Sequence, residues 1–190
     1  DQGGQGQDRK AGSITSFTFG RDRDLERTPV TDVRPAYALL LLGSNIDPER
    51  NIEAAKVQLR ACTDLMSLSP IYQTPAVSAP ETADYHNQAV ILRDPLTFEE
   101  LRSQLKRIET ALGRVRSIDS NAPRTIDIDI LAGADDSLEM ILEWPIDPAL
   151  STLHHAAIPS STIASTWRFP SSLVSVSAVS QQLLSLIHIT

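Results

Sequence analysis

Apolar and polar positions change period several times along the chain. Tyr37 to Leu42 is an unbroken apolar run closed by Gly43, the pattern of a buried strand. Asp47-Pro48 then sets a capping side chain ahead of a proline at the first helical position. Ile52, Ala55, Leu59 and Cys62 follow at three- and four-residue steps, which predicts a helix over 48–62 with Cys62 packed on its apolar face. Extended segments are expected at 64–73 and 86–93, and Pro70 demotes the first to an edge or irregular strand. Between them Thr74 to Pro80 carries two further prolines and reads as a loop. Thr97 and Glu100 form a capping box; Leu101, Leu105, Ile108 and Leu112 make one helical face, and Gly113 ends it. From Thr125 to Leu131 the period returns to two, with Ile126, Ile128 and Ile130 on one side and Thr125, Asp127 and Asp129 on the other. The order β-α-β-β-α-β predicts an α+β, ferredoxin-like fold with helices on one face of a mainly antiparallel sheet.

The ends differ from this middle. Residues 1–35 have little periodicity and several glycines among mixed charges, so they read as a flexible linker or the end of a fragment. Residues 36–170 form the expected catalytic domain, and 171–190 a tail of uncertain form, helix or strand. Within the tail, 186–190 receives no functional role. The 190 residues carry a net charge of −7, which gives no electrostatic case for binding nucleic acid or an anionic membrane. A single cysteine excludes an internal disulfide framework. No apolar run approaches a membrane span, and a cytoplasmic location is the expectation.

Asp127 and Asp129 are the most informative pair. Two residues apart on a strand, they project to one side about 7 Å apart. Like charges so placed call for something positive between them, and divalent cations with oxygen ligands answer that need. Taken alone, an Asp-x-Asp is more often an ordinary solvent-facing strand. Here, however, Arg102, Lys106, Arg107, Arg114, Arg116 and Arg124 crowd the preceding stretch of an acidic chain. Arg102, Lys106 and Arg107 fit a solvated helix face. Arg114 and Arg116 lie beyond Gly113 and Arg124 abuts the strand, so these three are the candidates for phosphate contact. Glu109 falls at the edge of the apolar helical face, pointing into a cleft or rimming the core. Gly43-Ser44-Asn45 makes a sharp turn without the residues of a P-loop or a dinucleotide fingerprint. His154-His155 has no partner cluster at metal-ligand spacing and reads as structural or surface.

Six blocks together resemble the 6-hydroxymethyl-7,8-dihydropterin pyrophosphokinases of folate biosynthesis. They are Leu42-Gly43-Ser44-Asn45, Tyr72-Gln73-Thr74-Pro75, Tyr85-His86-Asn87-Gln88-Ala89-Val90, Ile108-Glu109, Leu112-Gly113-Arg114-Val115-Arg116 and the run from Ala122 to Leu131. The resemblance implies transfer of pyrophosphate from ATP, the co-substrate, to the dihydropterin, releasing AMP. It further implies two Mg²⁺ ions on Asp127 and Asp129, with Arg114 and Arg124 completing the catalytic set. By similarity Glu109, Arg114, Arg116, Arg124 and Ile130 would serve ATP, while Thr74, Pro75, Val77, Tyr85, Asn87 and Asn121 would serve the pterin. Loops at about 46–50 and 73–84 are expected to move over the substrates. The chain departs from the family pattern at three places. Asn121 stands where many members have Trp, Ser120 where a basic residue is common, and Ile146 where a His is expected, with no Arg near 152. The alternative to an active transferase is a weakly active or inactive pterin- or nucleotide-binding module, fused to other folate-pathway domains.

Overall fold

The structure, a computed structural model, describes residues 32–75, 83–115 and 122–187. At its centre lies β1 (Tyr37–Ser44), paired antiparallel with β4 (Tyr85–Arg93) on one side and β5 (Asp127–Ala134) on the other. The order across the sheet is β2-β4-β1-β5, with β2 (Asp64–Leu68) and β3 (Tyr72–Thr74) lying in succession along β4. The continuous apolar run of β1 is explained by this position, since a central strand with both faces covered has no polar side.

One face carries α1 (Pro48–Cys62) and α2 (Phe98–Ala111). Ala38, Leu40 and Leu42 from β1, Val90 and Leu92 from β4, and Ile126 and Ile128 beside them meet Ile52, Ala55 and Leu59 of α1 and Leu101, Leu105 and Ile108 of α2. Trp144 joins this cluster, set edge-on to Phe98 with ring centres 5.5 Å apart. Its indole N–H donates to the Val33 carbonyl at 3.1 Å, so the only polar atom of a buried ring is satisfied.

The opposite face is covered by a layer that the periodicity did not reveal: α3 (Ala149–Thr152), α4 (His154–Ile163) and α5 (Val176–Ile187). Leu150, Ala156, Ala164, Trp167 and Val176 pack there on Leu39 and Leu41 of β1, Ala89 and Ile91 of β4, and Leu131 and Ala132 of β5. Residues 176–187 of the tail are thus a helix docked on α4 and α3. The β5 register shifts between Leu39 and Leu40, whose partners are Ala132 and Ile130, leaving Leu131 as the extra residue of a bulge. Leu131 continues the face of Asp127 and Asp129, and the bulge brings Ala132 onto that same second face.

Several expectations are met in detail. The first helix has the expected bounds, and Glu100 accepts from both the Thr97 N–H at 3.1 Å and its hydroxyl at 2.9 Å. Gly113 ends α2 at φ 79°, where a side chain would be strained. Others need correction. Asp47 sits at the α1 N-cap but with φ 41°, in the left-handed region, and its side chain makes no cap bond. Capping geometry needs extended backbone at that residue; here the Asn51 side chain instead donates to the Ile46 carbonyl at 2.6 Å. Cys62 is exposed rather than packed, because it falls in the last turn, past the edge of the sheet-facing stripe. The segment 64–73 is two strands, broken around Pro70, which has no N–H for the ladder.

Candidate active site

Three strand ends meet where the second face loses its helical cover. Gly43 is paired with Asn87 on β4 and with Asp127 on β5. On each strand the same face runs from apolar to polar: Leu39 and Leu41 to Gly43, Ile91 and Ala89 to Asn87, Leu131 to Asp129 and Asp127. The missing side chain at Gly43 leaves open the space between Asn87 and Asp127; a Cβ there would stand 3.3 Å from Asn87 Oδ1. Those flanking residues are two strand spacings apart, about 10 Å.

The turn after β1 fixes the start of β5. The Ser44 hydroxyl donates to the Thr125 carbonyl at 2.6 Å, and the Arg124 N–H donates to Asn45 Oδ1 at 2.7 Å. In return the Arg124 carbonyl accepts from the N–H groups of Asn45 and Ile46 at 3.1 and 3.2 Å. Ser44 and Asn45 are therefore buried polar residues with a positioning task. In the sequence they stood out as the sharp turn after Gly43 and as part of the Leu42-Gly43-Ser44-Asn45 block, without a sign of this positioning task.

Asp127 is held from both sides. Arg114 Nη2 donates to its Oδ1 at 3.3 Å, and Arg124 Nη1 donates to its Oδ2. The Arg114 Nε, buried, has no acceptor among the described residues. Asp129 has the opposite surroundings. It reaches solvent, yet packing around its carboxyl, and then the charges of Asp127, Asp147 and Glu109, push it up to about 6, while Arg124 pulls it down. Asp147 comes close because its backbone N–H is bonded to the Leu131 carbonyl at 2.8 Å. Glu109 is buried, and its Oε1 accepts from the Ile128 N–H at 2.9 Å, between the two aspartates. Its carboxylate is a strut from α2 to β5, a role that a helical wheel cannot show.

On the other side of Gly43, the Asn87 amide donates to Thr74 Oγ1 at 2.8 Å, which turns its Oδ1 toward the glycine. Thr74 pairs with Tyr85 in the β3–β4 ladder, so Thr74, Tyr85 and Asn87 share one face, and Pro75 follows directly. Below them Gln88 donates to the Ser69 carbonyl at 2.6 Å and Ser69 Oγ accepts the Ala89 N–H at 2.9 Å, tying β2's exit to β4.

The structure thus brings together Asp127, Asp129, Arg114, Arg124 and Glu109, with Asn87, Thr74, Tyr85 and Pro75 across Gly43. Ile130 packs against the α1–α2 cluster, on the face opposite the aspartates. Val77, Arg116 and Asn121 lie outside the described residues. Arg102, Lys106 and Arg107 are exposed on α2, as a solvated face would have them. His154 Nε2 lies 3.1 Å from the Leu183 carbonyl of α5, a structural contact, and Ile146 packs on the second apolar cluster.

The sequence profile of the 7,8-dihydro-6-hydroxymethylpterin-pyrophosphokinases matches residues 39–166, which take in most of the sheet, α1 to α4 and the candidate site residues. The chain belongs to this family. Among its relatives, the 2-amino-4-hydroxy-6-hydroxymethyldihydropteridine pyrophosphokinase of Synechocystis is 32% identical over 138 residues, covering 71% of this chain and 70% of that protein. The protein of the same name from Bacillus subtilis is 35% identical over 105 residues, 54% of this chain and 62% of its own length. The one from Methylorubrum extorquens is 37% identical over 110 residues, covering 55% and 69%.

Proposed function

We propose that this chain transfers the pyrophosphoryl group of ATP to the hydroxymethyl oxygen of 6-hydroxymethyl-7,8-dihydropterin, a step of folate biosynthesis, at the open end of the sheet. The hydroxyl oxygen bonds to the β-phosphorus and releases its proton to solvent, the bond from that phosphorus to the α–β bridging oxygen breaks, and AMP leaves with that oxygen. One observation carries the reading: Gly43 holds apart an amide-bearing half-site and a half-site of paired carboxylates and guanidiniums.

Each half suits its substrate. A pterin presents a fixed donor and acceptor edge, and Asn87, oriented by Thr74, offers a matching amide. Tyr85 and Pro75 supply flat or apolar surface beside it. On the other half Arg114 and Arg124 present guanidiniums to phosphate oxygens, a geometry that binds and orients the chain of phosphates. Phosphoryl-type transfer asks for positioning and charge stabilisation rather than a protein nucleophile, so the lack of one is no obstacle.

The donor set fits Mg²⁺. Asp127 and Asp129 offer only hard oxygen atoms, and the neighbouring carboxylates disfavour the charged form of Asp129, a penalty that a cation relieves. Among the described residues no three metal-ligating side chains gather, which suits an ion bound by one or two carboxylates and completed by substrate phosphates and water. Asp127 and Asp129 would hold the two ions of the proposed site. When bound, such ions neutralise charge on the phosphates during in-line displacement. Glu109, through Ile128, and Asn45, through Arg124, keep the two carboxylates and the guanidinium in register.

The test is to identify the nucleotide product when the chain is given ATP, Mg²⁺ and 6-hydroxymethyl-7,8-dihydropterin. AMP and pterin diphosphate formed in equal amounts are expected; ADP, or AMP formed without the pterin, would overturn the assignment. A binding module without turnover would rest on the departures at Ser120, Asn121 and Ile146; the assembled carboxylates and arginines favour turnover.

A further inference from the structure

We propose, resting on the metal assignment above, that Arg114 and Arg124 hold Asp127 in reserve, so that a divalent cation gains this ligand only as the nucleotide's phosphates draw the arginines off. In the unliganded chain both carboxylate oxygens of Asp127 are taken, Oδ1 by Arg114 and Oδ2 by Arg124. The three side chains are 19%, 12% and 24% exposed respectively, so these pairs are screened less than surface pairs. A cation arriving alone meets two positive groups on the ligand it needs and must compete with both for it.

The exchange needs only side-chain motion. Arg124's N–H and carbonyl are pinned by Asn45 and Ile46, and Arg114's N–H is bonded to the Glu109 carbonyl at 3.0 Å. Both guanidiniums can therefore swing from Asp127 to a phosphate while the chain stays in place. Arg114 also holds a buried Nε donor with no acceptor among the described residues, which its pairing with Asp127 leaves unsatisfied and a phosphate oxygen can meet. Cation and polyphosphate together supply a partner for the Asp127 carboxylate and for the whole Arg114 guanidinium, its Nε included. Each then tightens binding of the other by the same factor.

The probe is Mn²⁺ titrated into the nucleotide-free protein, read by loss of its free electron-spin signal. Arg114→Met and Arg124→Gln are each expected to bind Mn²⁺ about five- to ten-fold more tightly than the unaltered chain, the equivalent of one ion pair removed. The same variants should bind ATP more weakly in chelator. Arg102→Gln, which removes an equal charge from the exposed face of α2, should leave Mn²⁺ binding unchanged. Two variants guard against a folding defect in one, and near-ultraviolet dichroism identifies it. Mn²⁺ affinity unchanged or lowered in both folded variants would overturn the proposal. Asp127→Asn separates it from the reading beneath. If that change leaves Mn²⁺ binding intact with nucleotide present, the metal assignment itself fails. If it abolishes binding while the arginine variants behave like the unaltered chain, only the reserve role fails.

Discussion

The second face of the sheet is closed at one end and open at the other, although the same three strands build both. At the closed end Leu39, Leu41, Ala89, Ile91, Leu131 and Ala132 lie beneath Trp167, Leu150 and the helices α3 to α5. At the open end, one step further along each strand, the face presents Gly43, Asn87, Asp127 and Asp129. The closed end gains its stability from buried apolar area, which needs no particular partner chemistry. The open end collects like charges and an empty glycine position, each costly to the unliganded fold and each useful only to a ligand. Rigid strands shared by both ends let packing at one end hold the geometry of the other.

Four substitutions sharpen this contrast, from the largest effect to the smallest. Trp167→Ala at the closed end should lower unfolding free energy by about 3–5 kcal/mol in denaturant titration. Its pterin-dependent AMP formation per folded molecule should change little, since the residue touches only the second apolar cluster. Gly43→Val should fill the open end while keeping a residue that strands favour. Its side chain would enter against Asn87 Oδ1, and the KM for the pterin should rise on the order of 100-fold, about 2.7 kcal/mol, with the KM for ATP less affected. Asn87→Ala should weaken dihydropterin binding by about 1–3 kcal/mol in calorimetry and leave ATP binding near its original value. Equal losses for both ligands would reduce Asn87 to a support of the fold.

Asp129→Asn gives the smallest effect and one of opposite sign. Because its surroundings raise the Asp129 carboxyl to about 6, the folded chain disfavours the charged form more than the unfolded chain does. That penalty is full above pH about 6, where both states are ionised, and vanishes below about 4, where both are protonated. Discounted for solvent access, removing the charge should raise the metal-free protein's stability by about 1 kcal/mol at pH 7, a gain that fades as the pH falls to 4. Thermal unfolding in chelator at both pH values reads it directly.

Much of the frame was legible because local signals agreed with one another. Pro48 and the three- and four-step apolar spacing give the first helix its bounds, and Thr97 with Glu100 marks the second. The alternation through Ile128 and Ile130 places Asp127 and Asp129 together on the far face. The rest depends on contacts distant in sequence. The left-handed Asp47 follows from the tight turn between β1 and α1 rather than from residue preference. The C-terminal layer escaped because α4 is short, lined with small residues and interrupted by Pro159, so its stripe is faint. Arg114 and Arg124 were legible as phosphate candidates, but not as the clamp on Asp127, which requires knowing that the chain returns to one point. Glu109 was legible as a rim residue or a cleft residue; its bond to the Ile128 N–H makes it a strut of the site.

The most direct test of the central claim, that Asp127 and Asp129 mark the seat of transfer, is the turnover number of Asp127→Asn for pterin-dependent AMP formation. The amide keeps the shape and an acceptor for the arginines, so the fold should persist by near-ultraviolet dichroism. Turnover is expected to fall by at least about 1,000-fold with the charge gone. A folded Asp127→Asn protein that forms AMP at the original rate would contradict the account.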